Sequence, residues 1–283
     1  MTLDISTLLL QKHPGKPANA EVVAKMLDSY GSQVAYAVSV RDLNVLESYY
    51  QKASLIPKTA TMDAFGLREY ILNGPLHGNE NVIVCFDKNA KPHLLKRMNN
   101  EDEIHRVRIF AAASILNDHI MPFEVKGTHD NDACMLMPFY PATLTSLSLS
   151  HFVHGHGDTS LVEKLIGQMS VALEAMHSQD FCHMDIKPSN IAIDCEGNFV
   201  LIDVGSVAMV GEVTEATDLF LPKEDGGTYG RYVATEKRDW LMLALTVYSK
   251  VNDAWNGKDR VSQSVLDAFV QSTSFMAPFK QRY

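Results

Sequence analysis

His183-Met184-Asp185-Ile186-Lys187-Pro188-Ser189-Asn190, followed by Asp203-Val204-Gly205 thirteen residues after the asparagine, decides how this chain is read. The stretch strings together a carboxylate, a lysine, an amide and a second carboxylate. Those groups suit the movement of a phosphoryl group from a Mg²⁺-bound nucleotide. Such a transfer asks for a firmly held metal, a hydroxyl aimed in line and positive charge beside the migrating phosphate, with little covalent chemistry from the protein. On the residues alone, Asp185 is the candidate acceptor of a hydroxyl proton and Lys187 the candidate phosphate cation. Asn190 and Asp203 are the candidate metal ligands.

The flanking sequence predicts a frame for these groups. Ile191-Ala192-Ile193-Asp194 and Phe199-Val200-Leu201-Ile202 are short apolar runs rich in β-branched residues, separated by the turn-forming Cys195-Glu196-Gly197-Asn198. That pattern predicts a β-hairpin. Asn190 enters its first strand and Asp203 leaves its second, so both lie at one end of a pair about 4.8 Å apart. Oxygen ligands at that separation suit one cation with legs of about 2.1 Å, as Mg²⁺ requires. Upstream, Leu161, Val162, Leu165, Ile166, Met169, Leu173 and Met176 recur at helical spacing. Ser160 and Glu163 match an S-x-x-E capping box at the start of this helix, which should end near His177-Asp180.

From 168 to 205 the chain resembles the catalytic and metal-binding loops of eukaryotic-type protein kinases, through H-x-D-x-K-P-x-N and the later D-x-G. The resemblance implies an α+β, bilobal protein kinase-like fold, with a small mostly-β N-lobe over about 66–137 and a mostly-α C-lobe over about 141–283. Residues 1–65 fall outside it as an N-terminal extension, with helical patterns at 20–27 and 42–50 and a strand pattern at 34–40. ATP and Mg²⁺ are the implied cofactors, and a Ser/Thr-bearing protein is the implied substrate. Lys187, two residues after Asp185, fits the Ser/Thr class.

The same likeness assigns further positions. Val82-Phe86 and His93-Lys96 read as strands joined by a turn at 87–90, which puts Lys96 where the family contacts the nucleotide phosphates. Gly74, Gly78 and Val82 occupy the place of the glycine-rich phosphate loop; only two glycines of that pattern remain, and Pro75 removes a backbone donor. Glu103 is the expected partner of Lys96 on the following helix. Met137 falls at the back of the expected adenine pocket, with Pro138, Phe139 and Tyr140 along the hinge. Asp239 opens an apolar helix, Asp239-Tyr248, and matches the family's anchor for the catalytic-loop backbone. Between Gly205 and Asp239 lies the counterpart of the activation segment, holding Thr214, Thr217, Thr228, Tyr229 and Tyr232. Ala234-Thr235-Glu236 is its nearest match to A-P-E. The Asp203-Val-Gly-Ser run and the Asp239 helix also resemble the shortened kinase domains of Crinkler-type effectors.

Composition narrows the class. A net charge of -9 argues against phosphate-backbone binding as the main activity, so no nucleic-acid partner is expected. No apolar run approaches the roughly 20 residues of a membrane span, and no secretory signal is expected at Met1-Asp4. Four cysteines without a CxxC pair predict reduced thiols and an intracellular setting, with secretion as an effector still compatible. Oligomeric state stays open. His151, His154 and His156 form a local cluster that reads as part of a polar loop, because no spacing beyond Asp158 completes a recognised zinc site. Two other functions compete with an active protein kinase. The eroded glycine loop and short C-terminal part would suit a pseudokinase acting as a binding module. The H-x-D alone would suit a small-molecule phosphotransferase, against which Lys187-Pro188 speaks.

Met184 stands where the family carries the arginine that pairs with a phosphate on the activation segment. Turnover of the purified protein is therefore expected to survive phosphatase treatment. A radiolabel assay before and after treatment checks this, and loss of activity with the phosphate would contradict it.

Overall fold

The computed structural model describes residues 71–76, 79–86, 92–98, 100–129, 132–140, 142–147, 149–194, 196–226, 230–253, 255 and 257–282. The expected N-terminal extension, Gly78, Cys195, Thr228 and Tyr229 lie outside the described residues. The chain divides into two compact units. One holds the described residues up to Ala111 together with Met121–Ala142 and Ile193–Gly197. The other holds Ala112–Ile120, Thr143–Ala192 and the chain from Asn198 onward.

The first unit is built on an antiparallel sheet of five strands, β1 (Ile71–Leu76), β2 (Asn79–Phe86), β3 (Pro92–Met98), β4 (Glu124–His129) and β5 (Asp132–Pro138), in the order β1-β2-β3-β5-β4. Its register places Val82 opposite Lys96 and Lys96 opposite Met135. The expected phosphate loop is largely strand: Gly74 and Pro75 belong to β1, which pairs with β2 through register shifts at Leu72/Gly74 and Pro75/Leu76. A proline without an N–H and a glycine without a side chain both favour such an irregularity over a regular ladder.

Helix α1 (Glu101–Ala112) follows β3. Asn100 starts it, its Oδ1 accepting from the N–H of Asp102 at 2.8 Å and of Glu103 at 3.4 Å. Glu101, Asp102 and Glu103 fill the first turn, where the helix dipole favours negative charge. Ile104, Val107 and Phe110 bury one face at helical spacing, and the Phe110 ring stacks on Phe123 with centroids 6.0 Å apart.

The second unit is mostly helical. Helix α2 (Ser160–His177) buries Val162, Leu165, Ile166, Met169, Leu173 and Met176, the stripe its sequence predicts. Its start corrects the expected capping box. The N–H of Ser160 donates to Asp158 Oδ1 at 2.9 Å, and Glu163 Oε1 accepts from the Thr159 hydroxyl at 2.8 Å. A carboxylate two residues upstream is the stronger acceptor for the helix's positive end, so it displaces the serine. Hydrogen bonds from the Ser160 hydroxyl and N–H in turn hold the Asp158 carboxyl below its ordinary range. Ahead of α2, His151–Gly155 forms a π-helical turn where an irregular polar loop was expected.

Helix α3 (Glu236–Val251) is buried from Asp239 to Val247. It begins three residues before the expected Asp239, because the Thr235 hydroxyl caps it by accepting from the Arg238 N–H at 3.3 Å. Helix α4 (Gln263–Ser272) and a 3₁₀ turn at Ser274–Phe279 complete the unit. Phe269 meets Tyr248 at a ring distance of 5.1 Å and Phe279 meets Trp240 at 6.2 Å, tying both to α3. Among the described residues no helix is long and apolar enough to cross a membrane.

Leu165 is fully buried and Val171, on the opposite side of α2, is 49% exposed. Leu165→Ala is expected to lower stability by about 2–5 kcal/mol through lost contacts and a residual cavity. Val171→Ala should change it by no more than about 0.5 kcal/mol. Urea unfolding of both variants checks the contrast.

Candidate active site

The site begins with how one loop is held. Asp239, at 0% exposure in α3, sends both carboxylate oxygens toward 183–184. Oδ2 accepts from the His183 N–H at 2.8 Å and Oδ1 from the Met184 N–H at 2.8 Å. A third donor, His177 Nε2 at the end of α2, reaches Oδ2 at 2.9 Å. A buried charge survives without water only when donors surround it, and three do so here.

The histidine of the motif ties two chain segments together. His183 Nδ1 accepts from the Asp185 N–H at 3.3 Å. Its proton therefore belongs on Nε2, which donates to Ile202 O at 3.0 Å. The loop is fastened again at Ile186, whose carbonyl accepts from Thr246 of α3 at 3.2 Å. Met184, fully buried at φ 63°, makes the sharp turn between these anchors.

Asp185 is the centre of the resulting cluster. Its Oδ2 accepts from Lys187 Nζ at 2.7 Å and from Asn190 Nδ2 at 2.8 Å. Asn190 Nδ2 also reaches the Asp185 carbonyl at 2.8 Å, so its amide nitrogen is committed, while its side-chain oxygen accepts from the Ser189 hydroxyl at 3.4 Å. The other carboxylate oxygen, Oδ1, accepts from the Thr217 hydroxyl at 2.5 Å, and Lys187 Nζ donates to that same threonine oxygen at 3.0 Å. Asp185, Lys187 and Asn190 are thus brought together as their spacing predicts. Thr217 was named only as one hydroxyl of a long segment. Its seat depends on tertiary folding thirty residues downstream, and no local pattern marks it.

Asp203 stands at the exit of the hairpin formed by β6 (Ile191–Ile193) and β7 (Phe199–Leu201). The N–H of Ile202 donates to Asn190 O at 2.9 Å, which holds the entry and exit of that hairpin side by side. Asp203 itself is left-handed at φ 61°, ψ 74°, and its Oδ1 accepts from the Gly205 N–H at 3.4 Å. Such a backbone is uncommon outside glycine; a short side chain bonding to its own turn makes it tolerable. Gln168 on α2 steadies the hairpin, its Oε1 accepting from the Phe199 N–H at 2.8 Å and its Nε2 donating to Asn198 at 3.0 Å.

In the first unit, Lys96 Nζ lies 3.1 Å from Glu103 Oε1, joining β3 to the first turn of α1. The seven-residue gap is bridged because α1 starts at once after the strand. Val82 faces Lys96 across the β2–β3 ladder. Met137 and Phe139 are buried and Tyr140 is half-buried, on and just after β5. Gly74 sits in β1, and Gly78 is outside the described residues.

The residues matching a protein kinase domain run from 80 to 256, more than half of the chain. The chain belongs to the protein kinase family. Similarity to curated kinases is low but broad. A probable cell division protein kinase of Encephalitozoon cuniculi is 28% identical over 145 residues, covering 50% of this chain and 41% of the relative. The serine/threonine-protein kinase greatwall of Xenopus laevis is 24% identical over 174 residues, or 55% of this chain and 18% of that protein. The serine/threonine-protein kinase gad8 of Schizosaccharomyces pombe is 24% identical over 204 residues, or 69% of this chain and 33% of that protein. The kinase domain thus spans less than half the length of each of these three relatives.

Among the described residues, His177, Cys182 and Asp239 form one group of three potential metal ligands, with ligand atoms within 4.8 Å of one another. Both Asp239 oxygens are occupied by donors, and burial followed by the charges of Asp239, Glu236 and Asp180 pushes the Cys182 thiol well above its ordinary range. A thiol kept protonated is a poor nucleophile, and with the Asp239 oxygens and the His177 nitrogen spent on hydrogen bonds the group acts as a buried polar joint. Cys182 should therefore resist alkylation at pH 9 in the folded kinase domain, where an ordinary thiol is largely ionised. In the unfolded chain it should react. The raised thiol pKa also means that its contribution to stability is whole below about pH 9 and falls as the pH climbs above it. Mass spectrometry after iodoacetamide treatment, with and without denaturant, checks the protection.

Proposed function

We propose that this kinase domain transfers the γ-phosphoryl group of ATP to serine or threonine hydroxyls of protein substrates. The observation that carries the reading is the seat of Thr217. A threonine hydroxyl donates to Asp185 Oδ1 at 2.5 Å, while Lys187 lies 2.7 Å from Oδ2 and 3.0 Å from the threonine oxygen. A hydroxyl so placed has a base for its proton and a cation beside the oxygen. An acceptor hydroxyl needs the same two things to attack a phosphate.

In this reading Asp185 orients the acceptor hydroxyl and takes its proton as the oxygen bonds to phosphorus and ADP leaves. Lys187 stabilises the negative charge gathered on the transferring group. Asn190 and Asp203 would hold Mg²⁺. Their oxygen donors are the hard ligands that ion takes, and the Ile202–Asn190 backbone bond keeps their hairpin ends adjacent. Bound there, the ion would neutralise phosphate charge. Lys96, steadied by Glu103, would meet the α- and β-phosphates; Gly74, Gly78 and Val82 would cover the nucleotide. Met137, Phe139 and Tyr140 would flank the adenine. His183 acts one step removed, holding Asp185 and the strand before Asp203 in one network.

The test is transfer of label from γ-labelled ATP to the protein itself and to a generic basic substrate, with and without Mg²⁺. Asp185→Ala is expected to lower turnover about 100-fold or more while nucleotide binding survives. Asp203→Ala should abolish the Mg²⁺-dependent part of nucleotide binding. Equal turnover in the wild type and Asp185→Ala removes the base from the scheme. No label under any condition points to a binding module, and label on small acceptors alone points to a small-molecule phosphotransferase.

A further inference from the structure

The histidine cluster ahead of α2 has no part in the catalytic loop, and its geometry is not that of a plain polar loop. His151 and His156 stand five positions apart. In an α-helix such residues point about 140° from each other. Here the turn His151–Gly155 is π-helical, and this wider winding brings both imidazoles to one side. Their Nε2 atoms approach to 3.3 Å, with ring centroids 4.9 Å apart and planes at 84°.

That separation has a direct chemical meaning. Two imidazole nitrogens on a tetrahedral zinc ion, with legs of 2.0–2.1 Å, lie about 3.3 Å from each other. We propose that His151 and His156 form a surface site for a borderline divalent cation of the zinc type, bound through both Nε2 atoms. The cation takes the place of the proton that the two nitrogens otherwise share. Both rings are exposed, so it can enter from solvent and keep water in its remaining positions.

The site is held rather than adventitiously folded together. His154, on the same turn, is engaged elsewhere: its Nε2 meets Val251 O, at the end of α3, at 2.9 Å. The N–H groups of Gly157 and Asp158 bond back to Val153 O and Phe152 O at 3.1 Å each, which closes the turn. Gly157, at φ 65°, supplies the left-handed step that lets the chain leave toward α2. A π turn forfeits the regular ladder of an α-helix, and such irregularities concentrate where a side chain must be re-aimed.

Ligand chemistry separates this site from the proposed catalytic one. Mg²⁺ prefers oxygen and leaves imidazoles alone, whereas zinc, copper and nickel favour them. Zinc binding should therefore persist in excess Mg²⁺, and it can be measured without any assay of phosphoryl transfer. Its failure and the failure of the proposed kinase activity are separate results.

Calorimetric titration of untagged, chelator-treated protein with zinc chloride in excess Mg²⁺ tests the proposal. One saturable equivalent is expected in the wild type. His151→Ala and His156→Ala should each weaken it about tenfold or more, while His105→Ala, on α1, should leave it unchanged. Wild-type protein without saturable binding, or wild-type affinity retained in both variants, overturns the site. Should either variant unfold, X-ray absorption of zinc-loaded wild type decides. Two imidazoles at about 2.0–2.1 Å support the assignment, and a sulfur shell near 2.3 Å overturns it.

Discussion

Asp239 is the group on which the second unit turns. One carboxylate, stripped of water, is satisfied by two backbone N–H groups and one imidazole. This arrangement needs α2 and α3 in place before the loop can close, since the imidazole comes from the end of one and the carboxylate from the start of the other. Leaving any of these buried donors unmet would cost about 1–3 kcal/mol, so the loop has one favoured path. The features that position Asp185 follow from that path: the left-handed turn at Met184, the bond from Asp185 back to His183, and the link from His183 to Ile202.

Much of this was legible in the residues. The α2 stripe, the hairpin of 191–201 and the pairing of β2 with β3 are periodicity and turn chemistry, which depend on near neighbours. The closeness of Asp185, Lys187 and Asn190 was legible for the same reason, because five residues of tight turn leave few alternatives. Thr217 was not, because it reaches Asp185 only after a separate antiparallel pair, β8 (Val213–Glu215) with β9 (Arg231–Val233), has set the path of its segment. The capping of α2 by Asp158 was misread on a local rule. S-x-x-E is a competent cap, but it yields to a better acceptor two positions away. The histidine turn was missed because a π winding has no hydrophobic period to announce it.

Polar economy links the catalytic loop and the segment after Gly205. Tyr232 packs inward from β9, where burial first and then its bond to Asp218, at 2.6 Å, push its phenol up to about 12. Arg238 in α3 grips Asp225 through two nitrogens, at 2.7 and 3.0 Å. Arg260 takes up the carbonyls of Leu221, Pro222 and Asp225. These contacts fix the segment on both sides of Thr217 without any added phosphate. The described part of this segment is thus shaped by its own side chains.

Met184 shows how firmly that arrangement is committed. Its side chain is fully buried, its N–H is spoken for, and its backbone occupies a region where branched residues are strained. An arginine placed there would have to bring a guanidinium into a space that offers it no water. Regulation through an arginine at this position would therefore require the surrounding packing to be rebuilt around it, beyond the one substitution.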